Sequence, residues 1–111
     1  MAFGFWKVFS LDSIAAGTSK SDSWTPDKEY IIKRIYVVNK SGSALTASTF
    51  TLAQAGFAYT QPEVPARLLS PDNYLNPELN LRIAPTKLDF AVKNGETATI
   101  SVFVVFEVWT P

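Results

Sequence analysis

Thr97-Ala98-Thr99-Ile100-Ser101-Val102-Phe103-Val104-Val105-Phe106-Glu107-Val108-Trp109 is the stretch that decides the fold. Ala98, Ile100, Val102, Val104, Phe106 and Val108 occupy every second position, which puts them on one side of an extended chain. The predicted element is a strand. Just upstream, Lys87 to Lys93 carries the pattern of a partner strand, and Asn94-Gly95 supplies residues that tolerate the positive φ angles of a tight type I′ turn. The two strands are therefore expected to form a hairpin.

Working outward, Glu29 to Asn39 is rich in Ile, Tyr and Val and ends at the turn-forming Lys40-Ser41-Gly42-Ser43, so it reads as a second long strand. Ser48 to Ala53 and the aromatic-rich Phe3 to Leu11 read as two more. Shorter candidates are Phe57 to Thr60, Val64 to Leu69 and Leu79 to Ala84, separated by Pro62, Pro71 and Pro77, with Thr18 to Trp24 as a polar edge strand. The single helical hint is Ser70 to Leu75, where Ser70 can cap and Pro71 suits a first helical position. Many short strands without amphipathic helices between them predict an all-β antiparallel sandwich in one domain spanning residues 1–111.

The last strand has a second property. If Ala98 to Val108 faces a core, Phe103 and Val105 stand in the middle of the outward face, where an antiparallel sandwich meets water. The first strand behaves alike, because Phe5 and Phe9 alternate with Trp6 and Val8 and leave both faces apolar. Either a loop or the long middle connection covers these faces, or the last strand bends and contributes to both sheets, or another subunit covers them. Burying four such side chains at roughly 1.5 to 3 kcal/mol each is worth about 6 to 12 kcal/mol, comparable with the roughly 4 to 15 kcal/mol that docking two bodies costs. Phe5, Phe103, Val105 and Trp109 are the candidate contact residues.

Composition removes several functions. Of 111 residues, 47% are hydrophobic and 18% charged, which excludes a disordered tail. Ten basic and ten acidic side chains cancel, so nothing draws the chain to nucleic acid or an anionic membrane. No apolar run approaches the roughly 20 residues of a membrane-spanning helix, and Met1 to Leu11 has no basic leader or small-residue cleavage site, so no signal peptide is expected.

There is no His and no Cys, which eliminates Ser-His and Cys-His nucleophilic systems, disulfides and ordinary zinc sites. The acids lie mostly beside predicted turns, as solvated charges do, and no enzyme activity, cofactor or metal is expected. Glu107 is the exception among Phe106, Val108 and Trp109, and reads as a strand-end residue facing solvent. Asp22, Asp27 and Glu29 are near enough in sequence to suggest a calcium loop, but their spacing is not that of an EF-hand and Lys20 and Lys28 compete with a cation. Lys33 and Arg34 interrupt an apolar strand and are expected to point to opposite sides, at least one finding an acidic partner.

Aromatic side chains can stack on sugars or anchor proteins. Trp6, Trp24, Trp109, Tyr59 and Tyr74 are the candidates, with Trp6 read as core, and Trp24 and Tyr74 as exposed residues able to contact a ligand or host.

The stretch Ser23-Trp24-Thr25-Pro26-Asp27-Lys28-Glu29-Tyr30-Ile31-Ile32-Lys33-Arg34-Ile35-Tyr36-Val37-Val38-Asn39-Lys40-Ser41-Gly42 resembles the approach to a central strand in small β-sandwich proteins of virus particles. With the late Asn94-Gly95 hairpin and the apolar closing strand, the layout resembles the single jelly-roll capsid, vertex (penton) and decoration proteins of double-stranded DNA viruses. That resemblance covers most of the chain as a strand pattern and carries no signature motif. It implies about eight strands in a jelly roll, first and last strands paired near the middle of one sheet, a place in the virion capsid, and assembly with other capsid proteins and with copies of itself into pentamers, trimers or a lattice. The chain is shorter than principal shell subunits, which favours a vertex or accessory role. The competing expectation is a monomeric carbohydrate-binding module that presents Trp24 and Tyr74 on one platform.

Overall fold

In a computed structural model describing Met1–Pro111, nine strands form two antiparallel sheets. They are β1 (Ala2–Ile14), β2 (Ser19–Trp24), β3 (Tyr30–Asn39), β4 (Thr49–Gln54), β5 (Phe57–Ala58), β6 (Val64–Pro65), β7 (Leu81–Ile83), β8 (Leu88–Lys93) and β9 (Ile100–Thr110). One sheet has the order β1-β9-β3-β7 and the other β2-β8-β4-β5, with β6 also pairing along β4.

The pairings reveal how the chain is rolled. β1 pairs with β9, β2 with β8, β3 with β7 and β4 with β5. A long antiparallel ribbon, folded back on itself between β4 and β5, has been wrapped so that alternate pairs fall into opposite sheets. This is the jelly roll, which answers the edge-strand problem with two packed sheets. The first and last strands do pair, but only β9 is internal; β1 forms the edge of its sheet.

Val102, Val104, Phe106 and Val108 of β9 are fully buried and meet Phe90 and Val92 of β8, Phe50 and Leu52 of β4, and Ile32, Ile35 and Val37 of β3 in one core. The period-two reading of the closing strand is thus met from Ile100 onward, whereas Thr97 to Thr99 lie before the strand begins.

The expected hairpin does not form. β8 and β9 belong to different sheets, and residues 94–99 carry the chain from one to the other. Neither Asn94 nor Gly95 has a positive φ. Asn94 is instead a buried bracket: its Nδ2 donates to the Ile14 and Ala98 carbonyls, and its Oδ1 accepts from the Glu96 N–H. Gly95 serves a close approach, because a Cβ there would lie 2.1 Å from the Ala47 carbonyl oxygen.

The helical turn also lies elsewhere. Ala66–Leu69 forms a 3-10 turn that buries Ala66 and Leu69, while Ser70 to Leu75 consists of turns in which the Ser70 hydroxyl accepts from the Asp72 N–H. No helix is long and apolar enough to cross a membrane.

Candidate functional site

The outer face of the β1-β9-β3 sheet carries the most unusual surface of the molecule. The strand registers set its outward residues in rows: Phe3–Trp109–Ile31, Trp6–Glu107–Arg34, Val8–Val105–Tyr36 and Ser10–Phe103–Val38. Two irregularities tune this phase. A shift between Phe3 and Phe5 lets Phe3 join Trp6 on the outside, and one between Ile32 and Arg34 lets Lys33 and Arg34 act on the same side. Both cations converge on Glu78, at 3.1 Å and 3.7 Å, rather than pointing to opposite sides as expected from strict alternation. Their hydrogen bond and charge hold the Glu78 carboxyl below its ordinary range.

Along this face Trp109, Phe3, Trp6 and Tyr36 form a continuous aromatic chain, with successive centroids 6.0, 5.4 and 6.1 Å apart. The Lys33 ammonium lies 4.2 Å from the Trp109 ring centre, and the Lys40 ammonium 4.5 Å from that of Phe103. Phe3 is 47% exposed, Trp6 52%, Val8 51% and Phe103 37%. Such apolar side chains gathered on one sheet face mark a contact surface more often than the same residues scattered singly.

Glu107 is 8% exposed, which corrects its reading as a solvent-facing strand end. The Trp109 indole N–H donates to its Oε2 at 2.8 Å, and the Tyr36 hydroxyl donates to its Oε1 at 3.4 Å. Burial, then the adjacent carboxylate, pushes the Tyr36 hydroxyl pKa up. The acid fixes two aromatic rings of the face. Each of its oxygens accepts one of those hydrogen bonds.

Of the four contact residues expected from sequence, Phe103, Val105 and Trp109 lie on this face. Phe5 does not: it packs inward, edge-on to Tyr30 and Trp24. Trp6, read as core, is outside instead. The assignment was ambiguous because β1 is apolar on both sides, and only the cross-strand partners reveal which side meets the other sheet. Tyr36 and Val38 were missed; their signal was the same alternation, visible once β3 is known to lie beside β9.

The ligand platform does not assemble. Trp24 packs between the sheets, stacked near Tyr30 and Phe106, while Tyr74 stands alone at 92% exposure on the loop before β7. Tyr59 is half-buried against the core. The suggested calcium acids are separately engaged, Asp27 accepting from the Tyr30 hydroxyl at 2.6 Å and Glu29 pairing with Arg82, and no group of three acids is placed to hold a metal.

No protein family, curated protein or solved structure matches the chain.

Proposed function

We propose that the chain is a non-enzymatic structural subunit of a virus particle, a minor capsid, vertex or decoration protein that assembles with copies of itself and other capsid proteins. The observation that carries this reading is the outer β1-β9-β3 face, where Phe3, Trp6, Val8 and Phe103 remain exposed on a sheet whose other side is already filled. A solitary domain leaves the exposed parts of those side chains in water; an assembling one hides them. The jelly-roll order supports the same reading by the resemblance set out above, as an analogy of fold.

The reading is tested by native mass from light scattering across a dilution series, with the Phe103→Asp variant alongside. Association that the variant abolishes, with circular dichroism unchanged, is the expected result. A wild-type chain that stays monomeric at every concentration and does not bind preformed particles would remove the structural-subunit reading.

A further inference from the structure

We propose that the occupant of the outer β1-β9-β3 face is a second copy of this chain, packed face to face about a two-fold axis along the Val8–Val105–Tyr36 row. The proposal rests on reading that face as an interface and adds the partner and its geometry.

Pairing through the sheet edge is the rival way for two copies to meet, since β1 is a long edge strand with one side of its backbone unpaired. That edge is guarded. Lys7 lies between Phe5 and Phe9 on the inward-facing side, its ammonium 5.4 Å from the Phe9 ring centre and 5.9 Å from that of Trp24, so a strand added at the edge meets a charge. The register shifts near both ends of β1 spoil it further as a flat template. The cations of the face, unlike Lys7, each lie beside an acid of the same copy.

The face is also compatible with its own image. Each of its basic groups lies beside an acid of the same copy, Lys33 and Arg34 sharing Glu78, Arg34 also standing opposite Glu107, and Lys40 pairing with Asp12, so three cations are matched by three acids. Its two ends differ: Phe3, Trp6 and Trp109 crowd one, and Ser10, Asp12 and Lys40 occupy the other. A rotation about the central row reverses the ends. Trp6 then lies over Ser10 of the partner subunit, large against small, and the aromatic end lies toward Lys40 of the partner subunit, a cation facing π surfaces.

Size sets the strength. From the Ser101 level to Trp109 the face runs about 27 Å, and three strands span about 14 Å, giving roughly 380 Å² in projection. A standard interface buries about 800 Å² per partner. A dimer held by this face alone therefore dissociates on dilution.

The experiment is equilibrium sedimentation of the full chain, wild type beside Val38→Lys, Ser10→Trp and the exchange Trp6→Ser/Ser10→Trp. Wild type is expected to plateau at the mass of two chains. Val38 lies two strands inboard of the β1 edge, about 10 Å away, and the rotation sets it over Arg34 of the partner subunit, so Val38→Lys opposes two cations, abolishes a face dimer and spares an edge dimer. Ser10→Trp adds apolar surface yet is expected to weaken the dimer at least tenfold, because the new ring meets Trp6 of the partner subunit; the exchange variant recovers it. Growth beyond two chains, unchanged or tighter association of Ser10→Trp, or insensitivity to Val38→Lys would each overturn the proposal. If Phe103→Asp still dissociates the protein in those cases, the face remains an interface and only the two-fold arrangement falls.

Discussion

Glu96 holds the β3–β4 connection against the crossover into β9. It accepts hydrogen bonds from the Thr46 N–H at 3.2 Å, the Thr46 hydroxyl at 3.0 Å, the Ala47 N–H at 3.0 Å and the Ser48 hydroxyl at 2.6 Å. These donors, the Ser48 hydroxyl first, lower its pKa from 4.5 to about 2. On acidification the unfolded chain takes up this proton first. The contribution to stability is whole above pH 4.5 and is lost as the pH falls from there to about 2. Glu96→Gln is expected to lower stability by about 1 kcal/mol at neutral pH, the modest figure reflecting solvent around the carboxylate. The gap to wild type should narrow in thermal melts between pH 4.5 and pH 2.5; a constant gap would mean the ionised clamp contributes nothing. Asn94, fully buried beside it, is the costlier residue. Asn94→Ala leaves the Ile14 and Ala98 carbonyls and the Glu96 N–H without their partner. An expected loss of about 2 to 4 kcal/mol, read by urea unfolding, follows from those orphaned groups. A loss below 1 kcal/mol would show that water replaces the side chain.

β1 illustrates how a single element balances pairing against aggregation. Lys7 occupies a register position opposite the fully buried Phe106, where a valine would pack better, and its presence there is explained by guarding the edge. Lys7→Val is expected to leave the melting temperature unchanged or raised while producing concentration-dependent aggregates, read by turbidity and thioflavin fluorescence. A variant no more aggregation-prone than wild type would deprive Lys7 of that role. The same strand marks the limit of what the amino-acid pattern discloses. Alternation located β1, β2, β3, β4, β8 and β9 to within a few residues, because burial on one side and pleat geometry act on near neighbours. It could not orient β1, whose two sides are equally apolar until Val104, Phe106 and Val108 claim the inner one. The Asn94-Gly95 pair misled for a related reason. Its turn propensity is local, whereas β8 is drawn to β2 and β4 by side chains far away in sequence, and the residues through Thr99 give the chain length to change sheets. Three of the four expected contact residues nevertheless fell on the exposed face, since an apolar outward position in a strand is itself a local signal.

At the scale of the molecule, the rolled ribbon makes the most distant segments neighbours. Ala2 lies opposite Thr110, and the whole of β1 depends on β9 for its pairing. Closing that contact in the linear chain demands ordering nearly its full length, the kind of topology that folds slowly. A circular permutant separates this cost from stability. Joining Pro111 to Met1 through a short glycine-rich linker, and opening the chain between the exposed Tyr74 and Leu75, turns β1–β9 into a hairpin without touching the core. The closing loop shrinks by a factor of about twenty, worth about 2.7 kcal/mol of chain entropy. If β1 and β9 pair before the folding barrier is crossed, stopped-flow tryptophan fluorescence should show refolding up to about a hundredfold faster, with unfolding little changed. If they pair afterwards, the refolding rate stays put and the entropy gained appears as slower unfolding. The second outcome leaves the β1–β9 pair outside the nucleus and makes the docking of β1 a late step. Its inner residues Phe5 and Phe9 would then remain solvent-exposed until the rest of the sandwich has formed.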